Sequence, residues 1–235
     1  MAVSVAVLAD VHGNLPALQA VLQDAREHAQ RIVCAGDLAW GGPCPGEVVA
    51  CIREGGYACV LGNTDRTLAE GSGAHPYTRW ARARMQPPEL EFLGRLPLAL
   101  EVDEGGGLLV VHSAPGDPAR PLPDPTQDAG LEKLFGHLPV AVVVHGHDHR
   151  PSAVALRRVL VVGAGSVGQP FDGDPRACYV LLRWEQASHT WHVTHRRVSY
   201  DVEESVRLAR LYDMPGAARW AESVRRGVPA ERPTL

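Results

Sequence analysis

Five short apolar runs in this chain each stop at a side chain able to donate electron pairs. Val3–Ala9 leads into Asp10-Val11-His12-Gly13, Ile32–Ala35 into Gly36-Asp37, and Ala58–Leu61 into Gly62-Asn63-Thr64-Asp65. Leu108–Val111 is followed by His112-Ser113, and Val140–Val144 by His145-Gly146-His147-Asp148-His149. Asp10, His12, Asp37, Asn63, His112, His147 and His149 make a set of two carboxylates, one amide oxygen and four imidazoles. That mixture suits first-row divalent metals better than magnesium or calcium, which prefer oxygen alone. Seven ligands are too many for one ion and fit two, provided one carboxylate bridges. Two ions ~3.5–4 Å apart can share a hydroxide and neutralise charge on a phosphoryl group. A pair of ions used in this way serves hydrolysis, with phosphate-ester cleavage among its forms.

Taken singly, these pieces carry little. An Asp-x-His or a His-x-His recurs by chance, and a lone histidine at a strand end is more often structural than a ligand. Five of them at separate strand ends point to one site, because in open α/β sheets function gathers beyond the carboxyl ends of strands. Residues two apart on a strand face the same way, which would aim Asp10 with His12 and His147 with His149. Gly13, Gly36, Gly62 and Gly146 adjoin these ligands and permit tight turns and close backbone approach.

The apolar runs are valine-rich and mostly continuous, as strands covered on both faces are. Val159–Ala164 and Cys178–Leu182 add two more, and Trp191–Val198 alternates like a strand with one polar face. Leu15, Leu18, Val21, Leu22 and Ala25 fall at helical spacing, with Asn14 as the cap and Pro16 in the first turn. Pro45–Glu54 predicts a second helix closed by Gly55-Gly56. Strand, helix, strand, helix, strand is the order of an α/β fold with a parallel sheet. The strands from Leu108 to Val198 come close together and suggest a second sheet with antiparallel pairing. Residues 64–97 are expected as a helical excursion over the strand ends, and 113–128 as an irregular loop. From 201 onward a charged helical tail is expected, with a disordered proline-rich end. A single domain spanning 1–235 is expected.

The net charge of −4, with no Lys/Arg run to offset it, gives no electrostatic footprint for nucleic acid. No apolar run approaches ~18 residues, so no membrane-spanning helix is expected. MAVSVAVLAD lacks a cationic region, so no secretory signal is expected. Five cysteines, an odd number without CxxC spacing, argue against a disulfide framework and for a cytoplasmic protein. Cys34, Cys59 and Cys178 lie inside apolar runs and read as buried small hydrophobes.

The order DxH…GD…GNxD…H…GHxH, running from Asp10 to His149, resembles the calcineurin-like metallophosphoesterase superfamily. Gly165-Ser166-Val167-Gly168-Gln169-Pro170, followed by Asp172-Gly173-Asp174-Pro175-Arg176-Ala177, is similar to a small bacterial and archaeal branch of it, whose members are known as predicted phosphodiesterases. The resemblance implies a four-layer α/β/β/α sandwich, two mixed β-sheets flanked by helices. It implies that Asp10, His12 and His149 hold one ion, that Asn63, His112 and His147 hold the other, and that Asp37 bridges them. Manganese, iron, zinc, nickel and cobalt are the candidate ions. The chain departs from the pattern at Thr64. Many members have a histidine there that protonates the leaving group, so that assignment does not carry over.

The expected function is metal-dependent hydrolysis of a small or nucleotide-like phosphate ester, foremost a diester, by attack of a metal-bound hydroxide. The alternative among enzymes is a phosphomonoesterase or protein phosphatase. A metal-binding scaffold without catalysis is a third reading, which Thr64 keeps open. Asn63 is assigned to catalysis, ligating and contacting phosphate. Asp65 joins it by steadying a ligand, with a helix-capping turn residue as its other reading. Arg66 is a candidate partner for substrate phosphate, or a solvated surface arginine. Tyr77, Trp80 and Phe171 are candidate pocket walls. Gly165–Gly168 reads equally as a phosphate cradle or as a turn under the site, and His145 as a structural hydrogen bond.

Overall fold

The structure, a computed structural model, describes residues 3–103, 105, 107–124 and 128–229. Strands β1 (Ser4–Leu8), β2 (Arg31–Cys34) and β3 (Ala58–Cys59) lie parallel. They are joined by helices α1 (Leu15–His28) and α2 (Pro45–Glu54). α1 starts where the sequence predicts: the Asn14 side chain accepts from the amide of Ala17 at 3.4 Å. Its buried face is Ala17, Leu18, Val21, Leu22 and Ala25, the residues at helical spacing. The chain then makes three short helices, α3 (Asn63–Glu70), α4 (Pro76–Arg82) and α5 (Pro87–Gly94), which form the expected excursion.

The second sheet is built from β4 (Ala99–Val102), β5 (Leu108–Val111), β6 (Val142–His145), β7 (Pro151–Ala155) and β8 (Leu160–Ala164), in the order β4-β5-β6-β8-β7. Helix α6 (Asp128–Phe135) precedes β6. The chain returns through β9 (Ala177–Glu185) and β10 (Thr190–Val198), which extend the first sheet to β10-β9-β1-β2-β3. Helices α7 (Val202–Leu211) and α8 (Ala217–Arg226) form the expected tail. Its proline-rich end lies outside the described residues.

Strand alternation sorts the core into layers. Val5 and Val7 of β1 face the second sheet, packing with Val33, Val110, Val144 and Val162. Ala6 and Leu8 face the other way, onto Leu18, Leu22, Val48, Val206 and Trp220 of the helices. On the far side of the second sheet, Val111, Val143 and Val161 bury Leu131 and Phe135 of α6. The result is the four-layer α/β/β/α sandwich of two mixed sheets.

One expectation fails. The strands after Leu108 do not make one antiparallel sheet: β5, β6 and β8 are parallel, and antiparallel pairs lie only at the edges, β4 with β5 and β7 with β8. Strands β9 and β10 belong to the first sheet. All five cysteines are free, and Cys34, Cys59 and Cys178 are buried as expected. No helix among the described residues is long and apolar enough to cross a membrane.

Candidate metal centre

All seven residues of the predicted set meet beyond the ends of β1, β2, β3, β5 and β6. The strand pleat is not what aims them. β1 ends at Leu8 and β6 at His145, so both His-containing pairs lie past their strands. Instead Asp10, His12, Asp37, His147 and His149 take left-handed backbone, with φ of 54°, 49°, 56°, 75° and 59°. Each such residue costs on the order of 1–2 kcal/mol in an ordinary chain, so the surroundings must impose it. The loop after β1 is laced to the loop after β2: Asp10, His12 and Gly13 donate backbone N–H groups to Gly36, Asp37 and Leu38 at 3.1, 3.0 and 2.8 Å.

The side chains form two groups that share Asp37. On one side, His12 Nε2 and His149 Nε2 stand 3.7 and 3.5 Å from Asp10 Oδ1 and 3.0 Å from each other. On the other, Asn63 Oδ1 lies 2.9 Å from His112 Nε2 and 3.0 Å from His147 Nδ1. The two oxygens of Asp37 divide between them, Oδ2 at 3.7 Å from His12 Nε2 and Oδ1 at 3.4 Å from His112 Nε2. Asp10, His12 and His149, and separately Asp10, Asp37 and His112, have ligand atoms close enough to hold an ion.

The donor set fits cations on three counts. His12, His112 and His149 each turn Nδ1 to a backbone carbonyl, of Trp40, Ala35 and Gln169. A neutral imidazole held this way keeps its proton on Nδ1 and offers a lone pair from Nε2. Two such lone pairs then face one another between His12 and His149, an arrangement that a cation or a shared proton must relieve. Asp10 Oδ1 is buried and accepts no hydrogen bond from the described residues, although its partner oxygen takes the amide of His147 at 2.9 Å. Asp10 and Asp37 are 0% and 3% exposed, and neither meets a lysine or arginine among the described residues. Buried charge without a counterion is costly.

Protonation follows the same logic. Burial opposes charge on His12, but Asp10 and Asp37 outweigh it and raise the imidazole to about 9. Burial lowers His149 to about 4, and burial with His112 lowers His147. Asp10 stays well below the usual carboxylate range because His149, His12 and His112 together outweigh its burial.

Around this cluster, Asp65 has only backbone partners among the described residues. Its Oδ1 accepts from Leu38 and Ala39 at 2.9 and 3.4 Å, and its Oδ2 from Gly62 at 3.3 Å. It caps α3 and ties together the loops that carry Asp37 and Asn63. Of the two residues assigned to catalysis, Asn63 therefore faces the cluster and Asp65 supports it from behind. Burial, reinforced by Asp37, raises Asp65 to about 7. Thr64 donates its amide to Asp37 Oδ1 at 3.0 Å, and its shielded hydroxyl has no partner. Arg66 sits on the first turn of α3 and makes no side-chain ion pair among the described residues. Gly62 is required by space: a Cβ there would stand 2.1 Å from Asp37 Oδ1.

The Gly165–Gly168 stretch is a turn under the site. Its amides and hydroxyl are taken up internally, with Val167 N donating to Ala9 O at 2.9 Å, Gly168 N to Asp10 O at 3.0 Å, and Ser166 Oγ to Asp10 O at 2.7 Å. His145 makes its structural hydrogen bond to Gly146 O at 2.9 Å.

Two clefts border the cluster. One, of about 370 Å³, lies beside His12 and His149 and is lined by Trp40, His75, Tyr77, Phe171, Arg219 and Trp220. The other, of about 510 Å³, includes His147, Asp148 and Arg150. Trp80 does not reach the first cleft as expected. It packs behind Tyr77 at 5.2 Å between ring centres and donates to Tyr212 O at 3.1 Å. The cleft residues Trp40, Arg219 and Trp220 carry no motif of their own: Trp40 lies in the turn region after β2 and Arg219 on α8, and only Trp220 falls on the apolar face of that helix.

Residues 3–187 match the model of the calcineurin-like phosphoesterase superfamily domain. The chain is similar to the uncharacterized protein MJ0912 of Methanocaldococcus jannaschii, 27% identical over 228 residues that span 86% of this chain and 89% of that one. Among solved structures, a metallophosphoesterase from Sphaerobacter thermophilus is 25% identical with a TM-score of 0.80, covering 97% of this chain and 100% of its own. The protein PH1004 from Pyrococcus horikoshii OT3 shares the fold, at 21% identity and a TM-score of 0.83, again over 97% and 100%.

Proposed function

The chain belongs to the calcineurin-like phosphoesterase superfamily, and on that premise we propose that it is a dinuclear-metal phosphodiesterase acting on a small phosphate ester. The observation that carries this reading is the division of Asp37, whose two oxygens lie 3.7 and 3.4 Å from His12 and His112, on opposite halves of the cluster. Asp10, His12 and His149 would hold one ion, Asn63, His112 and His147 the other, and Asp37 both. When bound, two divalent ions acidify a water and neutralise phosphoryl charge.

The chain's own residues then have distinct tasks. The carbonyls of Trp40, Ala35 and Gln169 keep three imidazoles oriented through Nδ1. Asn63 offers one amide oxygen to the cluster and keeps its amide nitrogen for a phosphoryl oxygen. Arg66 is placed one turn along α3 as a candidate second contact to phosphate. A diester carries two organic arms, and a cleft on each side of the cluster gives both a place, which favours a diester over a monoester. A monoesterase needs one such cleft.

The test combines elemental analysis with hydrolysis of aryl phosphate mono- and diesters after loading with manganese. Two ions per chain and faster diester turnover are expected. One ion or none in a fully loaded protein refutes the dinuclear reading. Faster monoester turnover makes the protein a phosphomonoesterase instead.

A further inference from the structure

Phe171 lies flat on His149, with ring centres 4.2 Å apart and planes 8° from parallel. His149 thus presents Nε2 to the cluster and a ring face to Phe171, and Phe171 in turn lines the 370 Å³ cleft. The cleft is attached to the cluster at two further points. Trp40, on its wall, gives its carbonyl to His12 Nδ1, and Gln169, also on its wall, gives its carbonyl to His149 Nδ1. A molecule lodged there has its near end beside Asp10, His12 and His149.

The walls are largely aromatic. Trp40 stands 5.2 Å from His75 and 4.9 Å from Tyr77, with both pairs inclined at 60°. Tyr77 is anchored, its hydroxyl donating to Gly42 O at 2.6 Å, so the loop presenting Trp40 is fixed from below. Tyr77 and Trp220 are buried, Trp40 and Phe171 are partly open, and His75 is exposed. No carboxylate lines the cleft among the described residues. Trp220, 6% exposed, has an indole N–H with no acceptor among the described residues. A buried indole N–H ordinarily finds one. His75 Nδ1 accepts from Tyr77 N at 3.2 Å, which leaves its Nε2 as a donor on an exposed side chain. Flat walls with the His75 Nε2 donor at the edge suit a planar ring bearing acceptor atoms.

We infer that this cleft is a nucleobase subsite: the stacked Phe171–His149 pair, together with Trp40 and Trp220, receives the base of a nucleotide whose phosphate sits over the cluster. This rests on the cluster being a phosphate-ester site and adds the substrate class to it. The volume lies at the lower end of the ~300–1,000 Å³ typical of small-molecule sites, enough for one base and its sugar and too little for a folded strand. Arg219 and Trp220 come from α8, which lies beyond the matched segment 3–187. The subsite is therefore built partly by the C-terminal helices, outside the part of the chain that carries the metal motif. Stacking of a base on aromatic side chains changes affinity by roughly 5- to 150-fold.

The test measures binding to manganese-loaded protein by calorimetry, with adenosine 5′-monophosphate and ribose 5-phosphate as probes. These share the sugar phosphate and differ in the base. Adenosine monophosphate is expected to bind at least ~5-fold more tightly. In Trp40→Leu and Phe171→Leu the ratio of the two affinities should fall towards one. The ratio cancels any damage the substitutions do to the metal cluster, and two variants guard against one misfolding. Equal affinities in the wild-type protein overturn the subsite. Unchanged ratios in both folded variants overturn its location. Aryl diester hydrolysis on the same preparation separates the two readings. Hydrolysis with equal affinities sinks the subsite alone, whereas no hydrolysis of any ester sinks the phosphoesterase reading whatever the base preference.

Discussion

The Asp65 carboxylate holds the amide of Leu38 at 2.9 Å, and Leu38 immediately follows Asp37 in the chain. Asp65 thereby fixes the backbone that turns Asp37 between the two halves of the cluster, without meeting the cluster itself. Groups that orient metal ligands in this way typically change affinity or activity by 10–100-fold when removed. Asp65→Ala should therefore lower manganese affinity and diester turnover by ~10–100-fold. Asp65→Asn keeps an oxygen for Leu38 but sets an amide against Gly62 N–H, so it should recover only part of the loss. Titration of manganese into both variants measures this. Wild-type affinity in Asp65→Ala would show that the loop holds itself.

Asp37→Asn tests the shared ligand more directly. Asparagine tolerates the left-handed backbone at φ 56° better than alanine does, so the fold should survive. Turnover should fall by at least ~10²-fold, and metal content to one ion or none. Wild-type protein saturated at 100 times its metal Kd should gain ~2.7 kcal/mol over chelated protein. At this chain length that is ~5–11 °C in Tm. The gain should shrink in Asp37→Asn, and calorimetry with and without chelator reads both numbers. A full-sized gain in the variant would contradict the bridging role.

Most of this architecture was legible from residue types. Valine-rich runs marked the central strands because both faces of those strands are covered. The edge strands β4 and β7 left no such mark: Ala99, Glu101, Ala153 and Ala155 are exposed on them, and half-open strands need no continuous apolar run. The pairing of β9 and β10 with β1 was invisible because register between distant segments depends on packing, not on local pattern. The clustering of the seven candidate ligands was legible because each follows an apolar run. Their aim was not, since five left-handed residues replace the pleat the sequence suggested. Trp40 and Gln169 act through backbone carbonyls, which any residue type supplies, so no side-chain pattern could mark them.

A pH test isolates one contact outside the site. Asp24 of α1 accepts from Arg196 Nε and Nη2 of β10 at 2.6 and 2.7 Å, and from the Tyr179 hydroxyl at 2.6 Å. The arginine's hydrogen bonds hold the carboxyl below its ordinary value, against the pull of burial. A folded-state pKa below the unfolded one adds stability above the unfolded value of ~3.9, and that stability is lost as pH falls through the lowered one. Chelated wild-type protein should exceed chelated Asp24→Asn in Tm by a constant margin from neutral pH to about 5. The margin should close below ~4. A margin that persists at the acid limit would mean the contact does not depend on charge.

Thr64 is expected to set how the leaving group departs. It stands directly after Asn63, where the motif that this chain resembles often carries a histidine, and its hydroxyl neither titrates near neutrality nor finds a partner among the described residues. A positioned general acid contributes ~10²–10⁴-fold, and without one the leaving oxygen must depart with its charge. Turnover should then rise steeply as the leaving group's pKa falls, so aryl diesters should outrun alkyl diesters by about that factor. Thr64→His should flatten the dependence by accelerating the alkyl esters, and should bring a new limb to the pH profile near the imidazole's pKa. The measurement is a series of diesters of graded leaving-group pKa, run on both proteins at matched metal content. A flat series in the wild-type protein would mean that another acid is in place and would overturn this reading of Thr64.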